Sequence, residues 1–130
     1  METSQLRTLA IAASKNAYSP YSKALVGCAL ETSDGTIYTG CNIENASYGG
    51  TVCAERVAIF KAVSENKMKL TKVYVYTKEG WPPCGLCRQI MSEFADNDLE
   101  VIIGNETGTE KTMKFTELMP LSFTPDHLHK

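Results

Sequence analysis

Three of the five cysteines in this 130-residue chain fall in two short elements that each read as a helix start. This constrains the fold more than any other feature. One element is Pro83-Cys84-Gly85-Leu86-Cys87; the other is Cys53-Ala54-Glu55. A CxxC pair at a helix start sets two sulfurs one turn apart, where thiolates gain from the helix dipole and from unpaired backbone N–H groups. Zinc takes sulfur ligands in tetrahedral geometry, and a catalytic zinc keeps one position open for water. Cys84 and Cys87 supply two ligands, so a third comes from elsewhere. Cys53 is the natural choice, because it too opens a predicted helix and has a carboxylate two residues on. Residues two apart on a helix lie on roughly opposite faces, so Cys53 must sit at the helix edge for Cys53 and Glu55 to converge.

Each piece also has a plainer reading. A lone CxxC can be a redox pair, but Pro83 and Gly85 do not make a thioredoxin-type site. A closed structural zinc needs four ligands. Cys28 and Cys41 fall in strand patterns and read as small buried thiols. His127 and His129, in the C-terminal tail, read as solvated side chains. Taken together, the two cysteine elements favour a catalytic zinc over a structural one.

The rest of the chain alternates helix and strand signals. Residues 3–17 carry Leu6, Leu9, Ala10 and Ala13 at helical spacing. Residues 24–32 and 36–42 read as strands around the Ser33-Asp34-Gly35 turn, and 45–52 as a loop with Gly49-Gly50. A helix is predicted over 53–65, a strand over 72–77, a loop over 79–83, a helix over 84–94 and a strand over 99–103. The tail holds a Gly108 turn and a short helix near Glu117–Met119. This order favours an α/β fold: a mixed sheet, antiparallel at the early hairpin and parallel later, with helices on both faces. The length suits one domain spanning 1–130.

Composition narrows the function. Thirteen basic and fifteen acidic residues leave a formal charge of −2. With no Arg/Lys-rich stretch interleaved with aromatics, this argues against a nucleic-acid partner. No apolar stretch reaches the ~20 residues needed to span a bilayer, so no membrane partner is expected. The N-terminus lacks a basic segment followed by an apolar one. The expected location is cytoplasmic, where thiols stay reduced.

The combination resembles the zinc-dependent cytidine deaminases, whose wider family carries H-x-E…P-C-x-x-C, with zinc activating water and glutamate acting as acid and base. Cysteine in place of that histidine resembles the small homotetrameric type. The likeness runs through Tyr18-Ser19-Pro20-Tyr21-Ser22-Lys23, Gly40-Cys41-Asn42-Ile43-Glu44-Asn45-Ala46-Ser47-Tyr48, Cys53-Ala54-Glu55-Arg56, Pro83-Cys84-Gly85-Leu86-Cys87-Arg88-Gln89 and Leu118-Met119-Pro120-Leu121-Ser122-Phe123, in order. It implies a three-layer α/β/α fold with a mixed five-stranded sheet. It also implies hydrolysis of cytidine, and of 2′-deoxycytidine, to the uracil nucleoside and ammonia in pyrimidine salvage.

Roles carry over residue by residue. The resemblance implies one Zn²⁺ per chain on Cys53, Cys84 and Cys87, and Glu55 moving protons among the attacking water, the ring nitrogen and the leaving ammonia. Asn42 and Glu44 would hold the ribose hydroxyls, and the Ala54 backbone the amide edge of the base. Tyr48 would lie at the pocket and subunit contact, and Phe123 would reach a neighbouring subunit's site in a homotetramer with shared active sites. Three thiolates and Zn²⁺ sum to −1, so negative charge must be drawn off the sulfurs. Arg56, three residues after Cys53, lies where helical side chains meet, and the resemblance also implies an arginine donating to ligand sulfurs there.

One departure stands out. The family carries phenylalanine after the Tyr-Ser-Lys segment, where this chain has Ala24. This opens an alternative with the same chemistry on a related aminopyrimidine nucleoside, such as blasticidin S or an N4-substituted cytidine. A polynucleotide deaminase or an RNA-binding zinc module is a further reading, against which the charge speaks.

Overall fold

Side chains of an extended strand point alternately to its two faces, and the middle strands of this protein use that alternation to build two cores. The computed structural model describes residues 1–128; His129 lies outside the described residues. The elements run α1 (Thr3–Ser14), β1 (Gly27–Thr32), β2 (Ile37–Cys41), α2 (Ala54–Ser64), β3 (Leu70–Tyr76), α3 (Gly85–Phe94), β4 (Ala95–Gly104), β5 (Glu110–Lys114) and α4 (Phe115–Leu118). Short 3₁₀ turns occupy Tyr48–Gly50 and Pro125–His127.

The strands form one sheet in the order β2-β1-β3-β4-β5. β1 pairs antiparallel with β2 and with β3, β3 pairs parallel with β4, and β4 pairs antiparallel with β5. Tyr74 and Ile102 point to one face, where they pack with Ala29 under Leu6 and Ala10 of α1. Their strand neighbours Val73, Val75, Val101 and Ile103 point to the other face, into a larger core with Ala58 and Ile59 of α2, Met91 of α3 and Phe115 and Leu118 of α4. The result is the expected three-layer α/β/α arrangement around a mixed five-stranded sheet.

Several boundaries differ from the sequence reading. α1 stops at Ser14, β1 starts only at Gly27, and β4 begins at Ala95. The fifth strand lies in the stretch read as tail. Its sequence, Glu110-Lys111-Thr112-Met113-Lys114, is almost wholly exposed, so it carries no apolar alternation to announce it. It is specified chiefly by pairing with β4, with Met113 packed against the core.

The contact that positions α2 is unusually close. Gly40 of β2 lies under that helix: a Cβ there would stand 2.5 Å from the Ala54 carbonyl oxygen and 2.6 Å from the Ala58 nitrogen. Backbone atoms cannot swing aside, so only glycine lets the start of α2 sit this low on the sheet. Gly40→Ala is therefore expected to cost about 1–3 kcal/mol, as overpacking does, read as a lower urea midpoint. An unchanged midpoint would contradict the close approach.

Candidate active site

Both cysteine elements end at helix N-caps. Cys53 is the N-cap of α2, with extended backbone at φ −73°, ψ 156°, and Cys84 is the N-cap of α3 at φ −70°, ψ 168°. The extended cap turns the Cys53 side chain off the helical course, which meets the requirement that it sit at the helix edge. Cys87 lies three residues into the first turn of α3 and is buried. The two helix starts meet, with Cys53 Sγ 3.8 Å from Cys84 Sγ and Cys84 Sγ 3.4 Å from Cys87 Sγ.

All three sulfurs lie within 4.8 Å of one another. Tetrahedral zinc–sulfur bonds of 2.3 Å set sulfurs about 3.8 Å apart, so the cluster has the dimensions of a three-thiolate zinc site. The charge distribution agrees. Hydrogen bonding from Cys87, then from Arg56 and Cys84, outweighs burial and lowers the Cys53 thiol to about 5. The Cys87 thiol is raised, because its hydrogen bond to Cys53 holds its proton and burial disfavours a second charge. A cation that displaces these protons relieves the crowding. Among the described residues, no fourth His, Cys, Asp or Glu joins the cluster, so one tetrahedral position is left for a non-protein ligand.

Arg56 Nη2 donates to Cys53 Sγ at 3.6 Å and to the Thr51 carbonyl at 3.2 Å. Its buried Nε has no partner. The guanidinium thus lies against the sulfur cluster, where its charge draws on the thiolate.

Glu55 is 4% exposed. Burial chiefly, with the neighbouring Cys53 charge adding to it, pushes its carboxyl up to about 7, against its own backbone N–H and the Cys87 thiol. A carboxyl near neutrality can give and take protons equally well.

Cys53, Glu55 and Cys84 open on a cleft of about 240 Å³, which Asn42, Glu44 and Ala54 also line. Asn42 is buried: its Oδ1 accepts from Val26 N at 2.9 Å and its Nδ2 donates to the Ala24 carbonyl at 2.9 Å. One amide hydrogen and one lone pair remain. Glu44 Oε1 accepts from the backbone N–H groups of Tyr21 at 3.0 Å and Ser22 at 3.1 Å, and Oε2 accepts from Ser22 Oγ. The Ser22 hydroxyl bond, ahead of the two backbone bonds, holds its carboxyl below the usual range.

Two of the residues expected to bind substrate are not among the cleft's lining, and neither are Cys87 and Arg56. Tyr48 is 75% exposed, with its ring edge-on to Tyr21 at 5.8 Å. Phe123 is half-exposed and stacks on His127 at 5.3 Å. Other lining residues had not been singled out: Val26, Thr51, Val75, Thr77, Trp81 and Pro82. Trp81 and Pro82 could have been found from their place directly before Pro83-Cys84. Val75 and Thr77 lie at the carboxyl end of β3, where open α/β sheets place ligands.

Known proteins resemble this chain in sequence and fold. The sequence model of the cytidine and deoxycytidylate deaminase zinc-binding region matches residues 1–104. A cytidine deaminase of Halalkalibacterium halodurans is 44% identical over 99% of each chain. A probable cytidine deaminase of Dictyostelium discoideum is 42% identical over 86% of this chain and 77% of its own length. The crystal structure of a Burkholderia pseudomallei cytidine deaminase superposes with a TM-score of 0.90 at 39% identity, covering 95% of this chain and 100% of the other. That of the Mycobacterium tuberculosis enzyme gives 0.82 at 33%, covering 95% and 98%.

Purified protein is expected to carry about one zinc per chain. Cys84→Ala is expected to lose the metal by elemental analysis, and full retention would remove Cys84 from the ligand set.

Proposed function

The chain belongs to the cytidine and deoxycytidylate deaminase family, and we propose on that premise that it hydrolyses cytidine and 2′-deoxycytidine to the uracil nucleoside and ammonia. The observation that carries the reading is a buried carboxyl, Glu55, beside a three-sulfur cluster in the cleft that also holds Asn42 and Glu44. Zinc on Cys53, Cys84 and Cys87, when bound, supplies a Lewis acid that lowers the pKa of water toward neutrality.

The remaining chemistry falls to the chain's own groups. An aromatic amine leaves poorly unless it and the ring nitrogen are protonated. Glu55 takes the proton from the attacking water and gives it to the ring nitrogen as C4 becomes tetrahedral. It then carries the remaining C4 hydroxyl proton to the amine, which departs as ammonia while the C4 carbonyl forms. One carboxyl near neutrality suits both directions of transfer. The N–H groups in the first turn of α2 lack helical partners, which leaves the Ala54 backbone free to hold the amide edge of the base. Asn42, through its spare hydrogen and lone pair, and Glu44, as a carboxylate acceptor, hold the ribose hydroxyls. Arg56 draws charge from the sulfurs.

Residues 1–130 act as one catalytic domain, in the cytoplasm, in pyrimidine salvage. Among the described residues, no helix is long and apolar enough to cross a membrane. The chain assembles as a homotetramer in which Tyr48 meets a neighbour and Phe123 completes a neighbour's site. The exposed, adjacent rings of Tyr21 and Tyr48 and the half-exposed ring of Phe123 leave these side chains free to meet a neighbour.

Glu55→Gln tests the reading: it is expected to keep fold and zinc and to lose on the order of 10²–10⁴-fold in turnover of cytidine, followed as ammonia release. Near-normal turnover would remove Glu55 from the mechanism. Arg56→Ala is expected to cost about 10–100-fold in zinc affinity or turnover, measured by chelator competition and by rate. Light scattering is expected to give the mass of four chains, and an active monomer would refute the shared site.

A further inference from the structure

A nucleoside base is a flat π-system, and a cleft that holds one needs an apolar wall parallel to it. Trp81 is the chain's one tryptophan. Among the described residues it is also the one aromatic side chain that lines the cleft of Cys53 and Glu55. It borders a second cleft of about 460 Å³ as well, with Thr77, Ala24 and Leu25. Trp81 and Thr77 are the residues common to both linings, so the indole stands where the two clefts meet. Ala24, where the related family carries a phenylalanine, lines only the second cleft.

The indole's backbone is tightly held although its side chain is 48% exposed. Thr77, buried at the end of β3, uses its Oγ1 to accept from Trp81 N at 2.7 Å and from Gly80 N at 2.8 Å. Gly80 adopts φ +81°, a left-handed turn that favours glycine. Pro82 restricts Trp81 to extended backbone, and both Pro82 and Pro83 have fixed φ. The backbone is thus fixed at the mouth of the cleft while the indole itself stays half-exposed.

We propose that Trp81 is the aromatic wall that stacks on the pyrimidine base, and that Thr77 is a positioning residue that sets it through the two backbone bonds. This rests on the nucleoside reading above and adds a specificity determinant from the chain's own loop. It also divides the substrate cleft from the larger cleft beside Ala24.

The lone tryptophan makes the test direct. Uridine, the product, is titrated into the zinc-loaded protein while Trp81 emission and binding heat are followed in parallel. The emission is expected to change and to saturate with the heat. Heat without a change in emission would overturn the proposal alone. No heat with uridine or cytidine would overturn it together with the nucleoside reading, and would mark that reading as the failure.

Trp81→Ala is expected to raise KM for cytidine roughly tenfold, as loss of one base–aromatic stack does. Its kcat and zinc content are expected to hold, the pattern of lost uniform binding. Trp81→Phe is expected to recover most of the loss. Thr77→Val is expected to raise KM in the same direction and to shift Trp81 emission, and Thr77→Ser to restore both. An unchanged KM in Trp81→Ala, or a fall in kcat that tracks lost zinc, would contradict the wall.

Discussion

The sulfur cluster depends on two helix N-termini being held against each other. Each helix start tolerates a thiolate because its free N–H groups and dipole favour negative charge. Neither start alone can hold a metal: α2 brings one sulfur, and α3 brings two. The site therefore exists only because the sheet delivers both helices to the same end. Gly40 lets α2 sit low on β2, and Arg88 ties the start of α3 to the end of α4 through its Nε and Nη1, which donate to the Pro83 and Leu118 carbonyls at 2.9 Å each.

That arrangement also separates the tasks of neighbouring residues. Cys53 lies on the extended N-cap, where its side chain meets the sulfurs of α3. Glu55, two residues on, is inside the helix and buried, so its carboxyl is raised mainly by desolvation. Arg56 follows and reaches back to Cys53. The start of α2 thus brings together a thiol, a buried carboxyl and a guanidinium that donates to the thiol sulfur. Its dimensions suit chemistry that needs an activated water and a movable proton at the same ring.

Much of this was legible in the sequence because local signals and tertiary outcome coincide there. Cysteines at two helix starts announce the helices and the cluster together, and the bounds of α2 and α3 fall within a residue of expectation. The strands of the buried sheet centre were legible from β-branched and aromatic runs such as Lys72–Thr77. What escaped was set by pairing or packing rather than by pattern. β5 is an exposed edge strand of charged residues, and the polar start of β4, Ala95-Asp96-Asn97-Asp98, carries no apolar alternation. Thr77 and Trp81 reach the cleft through a loop whose course depends on hydrogen bonds to a threonine hydroxyl, which no residue pattern reports. Tyr48 and Phe123 were read from family likeness. Within one chain they lie outside the cleft lining.

The central claim is that two helix starts build a three-sulfur metal site with one position open. X-ray absorption at the zinc edge of the purified protein tests this most directly. The account predicts three sulfurs at about 2.3 Å and one oxygen or nitrogen at about 2.0–2.2 Å. Four sulfurs, or fewer than three, would contradict it.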